Sequence, residues 1–109
     1  MRYQIQENCL TIYLPKEVDH YHIANMSSHT DEMIQHHHIK HVIFDFEETR
    51  FMDSSGIGAI MGRYKLITLL GGEVWGVHAS QRIKKLLEMS GMDKIIQLYE
   101  EEVGHEQYQ

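Results

Sequence analysis

Five residues near the middle of the chain, Val42-Ile43-Phe44-Asp45-Phe46, leave few folds open. Apolar side chains at consecutive rather than alternate positions require burial on both faces of a strand. That is the property of central, often parallel, strands covered by helices. Just downstream, Ile57, Ile60, Met61, Tyr64, Ile67 and Leu70 recur at spacings of three and four. This is an amphipathic helix beginning near Ser54, and Gly71-Gly72 stops it.

The rest of the chain repeats the alternation. Tyr3–Gln6 and Cys9–Leu14 read as two strands, the second with Leu10, Ile12 and Leu14 alternating with Thr11 and Tyr13. Glu7-Asn8 between them is a tight turn, and Pro15 ends the second strand. Ile23, Met26, Thr30, Met33 and Ile34 predict a helix from about Tyr21 to Gln35, capped by Asp19 or His20. Glu73–Val77 is a strand, a helix follows from Ser80 to Gly91, and Ile95–Leu98 is a last short strand. Strands alternating with helices imply a mostly parallel sheet with right-handed crossovers. The expected fold class is therefore a small α/β sandwich. Its mixed sheet has about five strands, with an antiparallel N-terminal hairpin and three to four helices.

Composition narrows the function. A chain of 109 residues corresponds to one domain, and 42% apolar residues can fill a core without disulfides. The net charge of -6 disfavours a nucleic-acid footprint. No apolar run reaches the ~20 residues that span a bilayer, and the N-terminus has no signal-peptide h-region, so a cytoplasmic protein is expected. The single cysteine, Cys9, reads as a small core residue.

The informative segment is Phe51-Met52-Asp53-Ser54-Ser55-Gly56-Ile57-Gly58, between the central strand and its helix. Two adjacent serines at a helix mouth can be a cap, a nucleophile, an anion site or a phosphorylation target. Capping by Asp53 or Ser54 is the default for an isolated D-S-S-G, because these residues satisfy free N–H groups of a helix start. A hydrolase elbow requires glycine two residues before and after the nucleophile, but Met52 precedes Ser54 and Asp53 precedes Ser55. A phosphate cradle lacks G-x-x-x-x-G-K-[ST], and Asp53 would repel an anion.

The octet, the following Gly62-Arg63-Tyr64-Lys65, the earlier Glu17-Val18-Asp19-His20 and the later Met89-Ser90-Gly91 together resemble the STAS domain family. The resemblance is to its anti-sigma factor antagonists of the sporulation stage II AA type, and it runs from about Tyr3 to Leu98. It implies a single STAS domain over 1–109, with a core of about 3–98 and an acidic tail or weak last helix over 99–109. It implies that Ser54 is a phosphoacceptor and that Asp19, Asp53, Ser54, Ser55, Gly56 and Arg63 form the partner-binding site. The implied partners are an anti-sigma factor with serine kinase activity, a serine phosphatase and, indirectly, a sigma factor. Direct DNA binding, membrane attachment, cofactor, metal and catalytic activity are not expected, and a monomer is. A STAS module of a stress-response pathway and, from another class, a serine-dependent enzyme are the alternative readings. Pro15-Lys16 departs from the small residue and glycine of many relatives, so that loop can differ in shape.

Other features have structural readings. His36-His37-His38 suits a solvated helix C-terminus better than a metal site, since consecutive residues point apart. His20 and His22 follow Asp19 near the expected helix start and read as exposed, and Arg63 and Lys65 are expected to face solvent within reach of a partner. Trp75 and the methionines at 26, 33 and 61 read as core, with Met89 and Met92 as candidate exposed contacts. Ser55, two residues into the loop, is expected to bond backbone N–H groups.

Overall fold

The computed structural model describes residues 1–99. Strands β1 (Arg2–Gln6) and β2 (Cys9–Tyr13) form the expected hairpin, antiparallel with Gln6 opposite Cys9. Beyond them lie β3 (Glu17–Val18), α1 (Met26–His36), β4 (His41–Asp45), β5 (Phe51–Met52), α2 (Ser54–Leu69), β6 (Glu73–Val77), α3 (Gln81–Met89), a 3-10 turn at Met92–Lys94 and β7 (Gln97–Tyr99). The main sheet has five strands in the order β1-β2-β4-β6-β7, all parallel after the hairpin. The acidic tail or weak last helix expected over 99–109 lies outside the described residues from 100 onward, while Tyr99 closes β7.

Alternation along the strands explains the layering. Leu10, Ile12, Val42, Phe44 and Val74 join one buried cluster with Met26 and Ile34 of α1, Ile60 and Ile67 of α2, and Ile83 and Leu87 of α3. Ile43 and Val77 are also buried but stand outside that cluster, as expected for side chains on the opposite face. Two-sided burial of the central run is thus observed. On that second face Trp75, half-buried, stacks on His41 with ring centroids 4.8 Å apart. Cys9 is half-buried in β2, and burial pushes its thiol pKa up, away from reactive thiolate. Met92 is fully buried, correcting the expectation of an exposed contact, whereas Met89 is 76% exposed.

Helix α1 starts at Met26, five residues later than the apolar spacing predicts. Residues Tyr21–Asn25 are turns, closed by hydrogen bonds from the Ile23 amide to the Asp19 carbonyl (3.1 Å) and from the Met26 amide to the Ile23 carbonyl (3.0 Å). Ile23 reaches the core from a turn, and a buried residue at helical spacing imitates one more helical turn. The expected cap fails with it: Asn25 holds the N-cap position without a side-chain bond. At the other end the Ile39 amide reaches the Ile34 carbonyl at 3.1 Å, and His38 between them takes a left-handed φ of 51°. That is a Schellman closure, so the histidine run belongs to a helix end.

Candidate functional site

A second, two-stranded sheet builds the site. β3 and β5 run parallel, with Glu17 opposite Phe51 and Val18 opposite Met52. Two-residue strands carry little pairing energy alone, so flanking bonds hold them. The Arg50 and Phe51 amides both donate to the Lys16 carbonyl (2.8 and 3.1 Å), and the Thr49 hydroxyl donates to the Pro15 carbonyl (3.0 Å). The Pro15-Lys16 segment is thereby fastened to the chain leading into the serines. The ladder extends by one more bond, from the Asp53 amide to the Val18 carbonyl at 3.2 Å.

Asp53 then ends the strand and caps the helix. Its backbone is extended, and its carboxylate accepts the Gly56 amide at 3.0 Å. Gly56 lets this first turn lie directly on β3: a Cβ there would sit 2.2 Å from the Val18 carbonyl oxygen. With the glycine side pressed inward, Ser54 and Ser55 face out, and both are exposed. They occupy the first two helical positions, where free N–H groups and the positive dipole end are found. Neither hydroxyl makes a hydrogen bond to another described residue. Ser55 therefore does not cap, contrary to expectation, because the Asp53 carboxylate already fills that place.

Asp19 follows Val18 directly and so lies beside Asp53 at the end of the ribbon. One of its oxygens accepts both the His22 amide (2.9 Å) and the His22 ring Nδ1 (2.7 Å). The amide bond first, and the ring bond second, hold the Asp19 carboxyl below its ordinary pKa range. Glu17 Oε2 stands 3.8 Å from the same ring nitrogen. Of the expected partner-binding residues, Asp19, Asp53, Ser54, Ser55 and Gly56 share this edge, with Gly56 buried beneath it. Arg63 does not face solvent: it is 7% exposed, and its Nε lies 2.8 Å from Asp31 Oδ1, tying α2 to α1. Burial lowers its pKa, and Asp31 opposes that. Position 63 falls in the helix's core stripe with Ile60 and Ile67, which the polar side chain disguises.

Sequence reasoning also missed two convergent groups. Glu17, Asp19 and His22 form one, and Asp45, Glu47 and His78 the other. In the second, Asp45 Oδ1 at the end of β4 accepts the Glu47 amide (3.0 Å) and meets Nδ1 of His78 (2.9 Å), the residue after β6. His36, His37 and His38 belong to neither group. A serine nucleophile needs a base within hydrogen-bond reach; the described residues supply none to Ser54 or Ser55.

The profile of the STAS domain matches residues 1–104 of this sequence. The chain belongs to the STAS domain family. This STAS chain is 39% identical over 95 residues to the "Anti-sigma F factor antagonist" of Paenibacillus polymyxa, covering 87% of this chain and 81% of that protein. Among solved structures it is similar to the anti-sigma factor antagonist SpoIIAA in its unphosphorylated form, with a TM-score of 0.81, 24% identity, and coverage of 93% of this chain and 89% of that one. It is also similar to the Bacillus cell fate determinant SpoIIAA in the phosphorylated form, with a TM-score of 0.76, 23% identity, and coverage of 99% and 100%. The mixed sheet with its antiparallel hairpin and three helices is the SpoIIAA fold. No helix among the described residues is long and apolar enough to cross a membrane.

Proposed function

We propose that this STAS chain is an anti-sigma factor antagonist of the sporulation type, switched by phosphate on Ser54. Unphosphorylated, it binds an anti-sigma factor that is also a serine kinase, and a sigma factor is released. Transfer of a phosphoryl group from ATP to the Ser54 oxygen ends that binding, and a serine phosphatase restores it. The chain itself acts by binding, not by catalysis.

The observation that carries this reading is the exposed Ser54 hydroxyl at the first helical position, without a hydrogen bond among the described residues, with capping assigned to Asp53. The name of the relative from Paenibacillus polymyxa supplies the partner class. The physical chemistry of the switch follows from the site. A phosphate adds about -1.5 to -2 charges and three strong acceptors. The helix N-terminus favours that charge by roughly 0.3–1 kcal/mol, while Asp53 and Asp19 oppose it. Within the chain the effects largely cancel, and the fold is retained. At the interface they do not, because a surface shaped for a small hydroxyl must accept or expel a solvated dianion.

Incubation with the anti-sigma F factor of Paenibacillus polymyxa and ATP tests the proposal, with mass-spectrometric mapping of the product. Phosphate on Ser54, and none on the Ser54→Ala variant, is expected. Phosphate confined to another residue, or turnover of ester substrates by the purified chain, overturns the reading.

A further inference from the structure

Tyr21 is 84% exposed, whereas Phe51 on the neighbouring strand is 44% exposed. An exposed tyrosine on a turn ordinarily samples several rotamers. This one is propped. Its ring stands edge-on to the His22 ring, with centroids 5.4 Å apart and planes at 71°, an arrangement aromatic pairs favour. The His22 ring is itself fixed by Asp19, through the two bonds to one carboxylate oxygen at 2.9 and 2.7 Å. The turn is closed by the Ile23 amide on the Asp19 carbonyl. Asp19, His22 and Tyr21 thus form a short chain of supports ending in an aromatic ring held out in water.

The location gives that ring a role. The Val18 carbonyl accepts the Asp53 amide, so Asp19, at the foot of that turn, lies beside the cap of α2. Phe51 lies opposite Glu17 on the same ribbon. The ribbon end thus gathers the exposed Phe51, three carboxylates (Glu17, Asp19 and Asp53) and Ser54, and Tyr21 stands on the turn two residues beyond Asp19. A side chain restrained by a neighbouring ring loses less entropy on association than a free one. Tyrosine is also among the residues that dominate interface energetics when a pocket desolvates it.

We propose that Tyr21 is the pre-oriented apolar anchor of the partner contact. It enters an apolar pocket on the anti-sigma factor that is ringed by basic side chains, next to the seat of the Ser54 hydroxyl. Asp19 and His22 are positioning residues for that ring. The inference rests on the proposed function and names the partner's chemistry. The carboxylates of the ribbon end, on a chain of net charge -6, select a basic rim.

Calorimetric titration against the anti-sigma F factor of Paenibacillus polymyxa tests it. Tyr21→Ala is expected to weaken binding about 30-fold or more, the size of an interface hot spot, with unchanged thermal unfolding because the ring is exposed. Tyr21→Phe, which keeps the ring, is expected to stay within about threefold of wild type, and His22→Ala to lose roughly fivefold. The Tyr21→Ala/His22→Ala double variant is expected to bind no more weakly than Tyr21→Ala alone, since a support has no value without what it supports. Tyr21→Ala binding like wild type, or full additivity in the double variant, overturns this inference and leaves the proposed function standing. A wild-type chain that does not bind overturns the proposed function and this inference with it.

Discussion

At the start of α3 the Ser80 hydroxyl accepts the Ile83 amide at 3.2 Å; at the start of α2 the Asp53 carboxylate accepts the Gly56 amide at 3.0 Å. Both caps have extended backbones and bond the amide three residues on, so the two helices begin in the same way. They differ in which side chain does the capping. In α3 a serine is the cap, and its oxygen is committed to the fold. In α2 the cap has moved to a carboxylate one residue upstream, which leaves the oxygen of the next serine without a hydrogen bond among the described residues. Two chemically alike serines at alike helix starts thus have different capacities, set by the neighbour that caps. Availability, not residue type, separates a structural serine from one that can be modified.

The strongest way to break that contrast is to place the same charge at both positions. Ser54→Asp is expected to weaken binding to the anti-sigma factor by some 30-fold to several thousand-fold, the range for mispairing one buried interfacial charge (roughly 2–5 kcal/mol). Ser80→Asp keeps an acceptor at a cap and adds a charge that the helix dipole favours, so affinity should remain within a few-fold. Calorimetry on both variants decides it. Equal affinities for Ser54→Asp and wild type would remove direct exclusion as the switch, with enzymatically phosphorylated chain as the stricter form of the test.

Next in size are the caps themselves. Asp53→Ala is expected to lower folding stability by about 1–2 kcal/mol, since both a cap bond and a favourable charge–dipole contact are lost. Ser80→Ala should lose about 1 kcal/mol, as an uncharged cap does. Urea unfolding of the two variants measures this. A negligible effect of Asp53→Ala would mean that Ser54 takes over the capping, and the contrast would fail.

Much of this was legible in the sequence, because it depends on neighbours along the chain. Period-two alternation marks β2, consecutive apolar residues mark β4, and the D-S-S-G stretch marks where α2 starts. What escaped depends on contacts between distant segments. The β3–β5 ribbon is two residues long on each side, too short for any period, and exists because bonds from Arg50, Phe51 and Asp53 reach Lys16 and Val18. Arg63 looks like a surface cation until Asp31, 32 residues away, is brought beside it. The turn over Tyr21–Asn25 reads as helix in the sequence because Ile23 is buried at helical spacing. Tyr21, on that turn, is exposed rather than the first residue of a helix.

A smaller effect concerns acid. Asp19 has its pKa lowered in the fold by the His22 amide and then by the His22 ring. A lowered folded pKa means that its contribution to stability is present above the unfolded value of about 3.9 and is lost as pH falls through the folded one. Stability measured from pH 6 downward should therefore decline less steeply for Asp19→Asn than for wild type in the region below about pH 4. Parallel acid limbs would show that the Asp19–His22 contact does not persist in solution, and the support for Tyr21 would go with it.

The smallest expected effects sharpen the contrast most, because they test for the absence of a structural role. Ser54 occupies the first helical position and Ser55 the second, both exposed and without a hydrogen bond to another described residue. Replacing either by alanine removes no bond, and alanine has a helix propensity better than serine by a few tenths of a kcal/mol. Ser54→Ala and Ser55→Ala should each unfold within about 0.5 kcal/mol of wild type, on either side, well short of Asp53→Ala and Ser80→Ala. For Ser55 this replaces the cap-sized loss of about 0.5–2 kcal/mol that the sequence alone suggests. The two variants then part in function. Ser54→Ala should bind the anti-sigma factor and never release it on addition of ATP, since no oxygen remains to accept phosphate. Ser55→Ala should still incorporate phosphate. Denaturant unfolding with phosphate incorporation on the same four variants gives the full pattern, and a folded Ser55→Ala chain that takes up no phosphate would transfer the acceptor role from Ser54 to Ser55.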